Sequence, residues 1–162
     1  MDFGYSNDPT AVVAVYYYNG GYILDEVLYR KGMSNQQIAS FMNNLDFGVI
    51  VADSAEPKSI DELQMYGLSV VAAKKGSGSI LQGIGYVQEQ SISMTKRSVN
   101  LIKEYRNYLW QTDKDGKTIN IPEGGFDHAL DAVRYKLSSV LKPKYEIRPT
   151  TQTSGELSSL WS

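Results

Sequence analysis

A mixed α/β fold is predicted, with antiparallel strands first, parallel strands after them, and helices on both faces of the sheet. Three observations carry this expectation. Two β-rich runs flank an Asn-Gly-Gly turn near the start, short continuous apolar runs then alternate with amphipathic segments, and a longer amphipathic segment follows them. Antiparallel neighbours can be joined by a two-residue turn, whereas parallel neighbours need a crossover, usually a helix.

The first runs are "AVVAVYYYNGGYILDEVLYR", residues 11–30, where Asn19-Gly20-Gly21 is a strong hairpin signal. Tyr16-Tyr17-Tyr18 reads as strand with alternating faces. With Asp2–Gly4 ahead of it, the opening reads as antiparallel strands. In "SNQQIASFMNNL" Ser34 and Gln37 have capping-box spacing, and Ile38, Phe41, Met42 and Leu45 are expected on one helical face. "FGVIVAD" is a short apolar run ending in Asp53, the pattern of a buried parallel strand. Pro57 suits the first turn of the helix "PKSIDELQMY", and Gly67 its C-terminal end. "LSVVAA" reads as a second buried strand, "SILQGIGYVQEQ" as a helix weakened by two glycines, and "ISM" as a brief strand. "SVNLIKEYRNYLWQ" reads as a helix and "TDKDGKTINIP" as an exposed hairpin turning at Asp115-Gly116. The last helix is "DHALDAVRYKLSSVL", with Leu130, Val133, Leu137 and Val140 or Leu141 as its apolar stripe. The ribonuclease-H-like fold has this order of elements.

Composition narrows the chemistry. The 162 residues suit one domain, and 42% hydrophobic residues suffice for a core. Cysteine is absent, so disulfides and thiolate metal sites are excluded and any metal must be held by oxygen or imidazole. No apolar run reaches the roughly 20 residues of a membrane span, and no signal peptide precedes Asp2, so a cytosolic protein is expected. Sixteen basic and eighteen acidic residues give a net charge of −2, so nucleic-acid binding would need a local basic patch. Residues 1–141 are expected to form the domain. Residues 142–162, rich in Pro, Ser and Thr, are expected to form a flexible tail.

In the predicted sheet Asp2 lies on the first strand and Asp53 ends its neighbour, so their carboxylates would face each other at one sheet edge. His128 and Asp131, three residues apart, share a face of the last helix, and Asp127 lies on that side too. Asp127 also suits the cap of that helix. Carboxylates gathered closely resist ionisation unless a cation sits among them. Divalent magnesium or manganese removes that repulsion, and two such ions can clamp both oxygens exchanged in phosphodiester hydrolysis. Removing one acid, such as Asp53, is expected to relieve repulsion and leave metal-free stability level or higher. Lys74-Lys75 before the turn Gly76–Ser79 would suit phosphate contacts, with Ser77 and Ser79 contributing; a solvated loop is the alternative reading. Lys96-Arg97 is a weaker basic pair.

"DFGYSNDPTA", "VADSAEPKSIDEL", "KGSGSILQGI" and "DHALDAVRY" together resemble the successive motifs of the nuclease domain of tailed-phage (or prophage) large terminase subunits. The likeness runs from Asp2 to about Leu141. It implies a ribonuclease-H-like, Mg²⁺- or Mn²⁺-dependent endonuclease with two ions, acting on double-stranded DNA concatemers in the bacterial host cytoplasm. By motif, Asp2, Asp53 and Asp131 are the implied catalytic acids, with His128 as a further metal ligand and Asp8 and Asp127 as accessory acids. The resemblance also tips the Lys74–Ser79 turn toward DNA contact. It implies as partners an ATPase motor domain, the small terminase subunit and the portal, and no membrane. Two departures stand out. Only Met1 precedes Asp2, so the first strand is expected to be truncated, and no G-x-x-x-x-G-K-[ST] motif for the motor occurs.

Rival readings share parts of this pattern. An actin-like or sugar-kinase ATPase needs a second similar domain, which 162 residues cannot hold. A Holliday-junction resolvase or transposase of the same fold would share the acids, and a non-catalytic DNA- or portal-docking module would keep them as relics.

Overall fold

The computed structural model describes residues 1–75, 79–108, 110–112, 114–116, 118–122 and 127–140. The expected tail at 142–162, and Leu141, lie outside the described residues. Strands β1 (Thr10–Tyr18) and β2 (Gly21–Arg30) form the predicted antiparallel hairpin. Asn19 and Gly20 both have positive φ, 49° and 79°, as a two-residue type I′ turn requires, and Tyr18 pairs with Gly21 to close it. Beyond the turn the chain passes through α1 (Asn35–Met42), β3 (Ile50–Ala52), α2 (Pro57–Met65), β4 (Val70–Ala72) and α3 (Ser79–Gln88). It continues through β5 (Ile92–Met94), α4 (Val99–Asn107), β6 (Trp110–Thr112), β7 (Thr118–Pro122) and α5 (His128–Val140).

Pairing is antiparallel first and parallel afterwards: β2 pairs parallel with β5, and β3 with β4. Met1 and Asp2 join these two groups. The backbone of Asp2 exchanges hydrogen bonds with Ala11 at 2.8 and 2.9 Å, an antiparallel bridge. On the other side the Met1 nitrogen donates to the Val51 carbonyl at 2.7 Å, and the Met1 carbonyl accepts from Asp53 N–H at 3.1 Å. That slanted pattern is parallel pairing. The described strands therefore run β4, β3, Met1–Asp2, β1, β2, β5, and Asp2 and Asp53 leave the sheet side by side.

Alternation along β1 sends Val12 to one face and Ala11 and Val13 to the other. Val12, Leu28, Ala52 and Val70 pack with Ile38, Ala39 and Met42 of α1 and Ile60 and Leu63 of α2. On the opposite face Ala11, Val13 and Leu24 pack with Leu101 of α4 and Ala129, Ala132, Val133 and Leu137 of α5. The capping box of α1 is formed: Ser34 Oγ accepts from Gln37 N–H at 3.2 Å, and Gln37 Oε1 accepts from Ser34 N–H at 2.9 Å. Pro57 opens α2, and Gly67, with φ of 90°, follows its end. Gly83 lets α3 approach α5, because a Cβ there would lie 2.7 Å from Arg134 Cγ and 2.9 Å from Ser138 Oγ.

Several expectations are corrected. Phe41 and Leu45 are exposed, because a helix of two turns turns only Ile38, Ala39 and Met42 onto the sheet. Val140 is exposed beyond the stripe of α5. β4 is not fully buried: it ends the described strand order and leaves Val71 and Ala72 exposed. Tyr16, Tyr17 and Tyr18 lie in β1 as expected, and all three are exposed toward the hairpin tip. The helix expected over 98–111 stops at Asn107, because Trp110–Thr112 pairs with Thr118–Pro122 as the hairpin that turns at Asp115-Gly116.

Candidate active site

Strand pairing brings Asp2 and Asp53 to neighbouring strand ends, and α5 carries His128 and Asp131. His128 opens α5, and its Nδ1 lies 3.0 Å from Asp2 Oδ2 while its Nε2 lies 3.6 Å from Asp8 Oδ1. Asp8 sits in a loop drawn tight by Thr10, whose Oγ1 accepts from Gly4 N–H at 3.2 Å and donates to the Gly4 carbonyl at 3.1 Å. Only glycine fits at position 4, since a Cβ would fall 2.2 Å from the Asp8 carbonyl oxygen. Asp131, one turn after His128, accepts from Arg134 Nε at 3.2 Å and pairs with its Nη2 at 2.8 Å. The Tyr135 hydroxyl stands 3.5 Å from Asp131 Oδ2. Asp53 accepts from Ala55 N–H at 2.9 Å and forms an ion pair with Lys75.

These groups feel one another. Burial pushes the Asp2 carboxyl up to about 6; the nearby charges of Asp131 and Asp53 add to this, and the hydrogen bond from His128 opposes it. Burial also pushes Asp53 upward, but Lys75, the Ala55 amide and the Tyr135 hydroxyl outweigh it and hold Asp53 low. Burial, then the charges of Asp131, Asp2 and Asp53, raise the Tyr135 phenol. Each acid thus has its own nitrogen partner: imidazole for Asp2, ammonium for Asp53, guanidinium for Asp131.

The fit to a divalent ion follows from this chemistry. The donors are carboxylate and imidazole only, suited to a hard or borderline cation, and Asp2 is an acid that burial and like charge hold partly protonated. Among the described residues, no three His, Asp or Glu side chains converge closely enough to hold an ion. Asp53 and Asp131 are instead paired with Lys75 and Arg134.

The other predicted residues are placed as follows. Asp127 directly precedes α5, and its carbonyl accepts from Asp131 N–H at 2.6 Å. Lys74 is exposed, and Lys75, also exposed, forms an ion pair with Asp53. Ser77 lies outside the described residues, and Ser79 begins α3. Of the basic pair Lys96-Arg97, Arg97 is bound to Asp25 in a two-pronged ion pair, with Nε donating to Oδ1 at 2.7 Å. Asp53 also gains from its partners without any metal, so its removal is now expected to lower metal-free stability rather than leave it level or higher.

Sequence reasoning missed Glu104. Its Oε2 accepts from the backbone N–H groups of Ala129 at 2.8 Å and Leu130 at 3.0 Å, and its Oε1 accepts from the Tyr29 hydroxyl at 2.8 Å. Those are the amides an N-cap side chain would satisfy, so α4 caps the helix that carries His128 and Asp131. Glu26 of β2 does the same for α4, with Oε2 accepting from Leu101 N–H at 2.8 Å. A signal existed: Glu104 lies three residues after Leu101, a charged residue in the apolar stripe of α4, and it is 3% exposed.

Residues 2–139 match the family described as the Terminase RNAseH like domain. The chain belongs to that family. As a terminase domain it is 35% identical over 151 residues to the large terminase subunit of Bacillus phage SPP1. It is 30% identical over 166 residues to the PBSX phage terminase large subunit of Bacillus subtilis strain 168. These matches cover 88% and 95% of this chain but 36% of each relative, so the chain spans about a third of the length of these curated relatives. The crystal structure of the large terminase nuclease domain from bacteriophage SPP1 with bound Mn matches with a TM-score of 0.77 and 32% identity, over 86% of this chain and 84% of that one. The ribonuclease-H-like fold read from the order of elements is thereby borne out. No helix among the described residues of this terminase domain is long and apolar enough to cross a membrane.

Proposed function

We propose that this terminase domain is a Mg²⁺- or Mn²⁺-dependent endonuclease that cuts double-stranded, concatemeric viral DNA during genome packaging in the bacterial host cytoplasm. The observation that carries the reading is the match of residues 2–139 to the terminase family, with Asp2 bonded to His128 at the start of α5 and Asp53 on the strand end beside Asp2. The bound Mn of the SPP1 relative supports it. Asp2, Asp53, Asp131 and His128 would hold the metal, and two ions there would supply Lewis-acid stabilisation of the phosphate and an activated water. The chain's own residues prepare the site. Asp2 bonds Nδ1 of His128 and orients the imidazole, with Asp8 nearby on the Nε2 side. Glu104 fixes the start of α5, and Tyr135 stands between the acids as a hydroxyl donor.

Lys74, Lys75, Ser77 and Ser79 belong to the same proposal as phosphate contacts, and an ATPase motor domain, the small terminase subunit and the portal as partners. Supercoiled plasmid should be nicked and linearised with Mn²⁺ or Mg²⁺, with little sequence preference, and left intact in EDTA. Cutting that survives the chelator, or no cutting with either ion at high protein concentration, would reject the reading. For Lys74→Ala, duplex binding should weaken on all sequences alike, and the log–log salt slope should flatten by up to about 0.9. An unchanged slope would return Lys74 to the solvated surface.

A further inference from the structure

Asp53 and Asp131 are both paired with a cation, but the two cations are held differently. The Arg134 side chain is 9% exposed, packed 4.8 Å from the Tyr135 ring centroid and against α3 at Gly83. Lys75 is 39% exposed along its side chain, on an Asp53 side chain that is only 17% exposed. Its ammonium also lies 5.1 Å from the Tyr135 ring centroid. The pairing is not a chance surface contact. Ala52 registers with Ala72 across β3 and β4, and the Ala73 N–H donates to the Ala52 carbonyl at 2.7 Å. The strand end that carries Lys75 is thus tied to the strand end that carries Asp53.

We propose that Lys75 is an exchangeable cation of this site, competing with the divalent metal for the Asp53 carboxylate. The inference rests on the metal-dependent reading given above. A carboxylate oxygen in contact with an ammonium cannot also ligate a metal without two positive charges coming into close repulsion. Metal loading therefore expels Lys75, and the half-exposed stem gives it a path into solvent. Arg134, enclosed by Tyr135 and α3, has no such path and remains on its helix. By linkage, Lys75 weakens metal binding to the free domain by the same factor that metal weakens the Lys75–Asp53 pair.

Calorimetric titration with Mn²⁺ in the absence of DNA tests the competition without reference to cutting. Lys75→Met should bind Mn²⁺ about tenfold more tightly, a typical size for coupling between sites. Its metal-free thermal midpoint should fall, because Asp53 loses its partner. Lys75→Arg keeps the charge and should bind Mn²⁺ as the parent does. In the parent, acylation of Lys75 read by peptide mass spectrometry should accelerate when Mn²⁺ is added. Should Lys75→Met fail to fold by circular dichroism, Lys75→Gln gives the same comparison. Unchanged Mn²⁺ affinity in Lys75→Met, with Asp53→Asn still weakening binding, overturns the competition and leaves the metal site standing. If Asp53→Asn leaves Mn²⁺ affinity at the parent value, the metal reading of Asp53 itself is lost, and the competition with it.

Discussion

Asp2→Asn should abolish cutting while making the metal-free protein more stable. Losing one ligand for the metal that stabilises the transition state costs about 4 kcal/mol, or about a thousandfold in rate. The stability effect has the opposite sign. Burial raises Asp2 from its ordinary 3.8 to about 6, so the folded state binds the proton more tightly than the unfolded chain. Above pH 6 the folded protein must hold a buried charge, and below about pH 4 it does not. The penalty therefore grows as pH rises from about 4 to 6 and stays level above. A shift of about two units corresponds to at most about 3 kcal/mol. Asparagine carries no charge and keeps a polar group facing His128, so the variant should gain that amount above pH 6 and nothing at pH 4. Thermal unfolding in EDTA at pH 4, 6 and 8 checks this; parallel curves for parent and variant would refute it. Asp53→Asn is the contrast: Asp53 is held low by Lys75 and the Ala55 amide, so its removal should lower metal-free stability.

Glu104→Ala has the largest expected structural cost. The substitution strips the acceptor from two helix amides and one tyrosine hydroxyl in a region closed to solvent. Buried donors left without partners cost about 1–3 kcal/mol each, and partial relaxation brings the total to about 3–4 kcal/mol. For a domain of this size the thermal midpoint should drop by about 6–16 °C. Glu104→Gln retains one carbonyl acceptor and should lose about half as much. Because Glu104 acts through α5, Mn²⁺ affinity should fall in both variants even where both are fully folded. An alanine variant within about 0.5 kcal/mol of the parent would show that Glu104 does not hold the helix.

Local rules were enough for much of this protein. The Asn19-Gly20 turn, the Ser34–Gln37 capping box, Pro57 at the start of a helix and Gly67 after its end follow from backbone geometry that only a few residues tolerate. The alternation of apolar runs with amphipathic segments specified helices on both faces, because burial at period 2 or 3.6 is a property of the segment alone. Asp2, Asp53, His128 and Asp131 became candidates once the order of elements and the likeness of their motifs to terminase nucleases were known. Tertiary structure decided the rest. Whether Lys75 faces solvent or Asp53 depends on the register of β3 against β4, and whether α5 is capped by Asp127 or by Glu104 depends on how α4 packs. Where Trp110 leaves the helix depends on a partner strand eight residues further on. Each of these is a choice between competing partners for one charge, amide or strand edge. A sequence names the competitors, but only the folded distances, and the solvent they exclude, select among them.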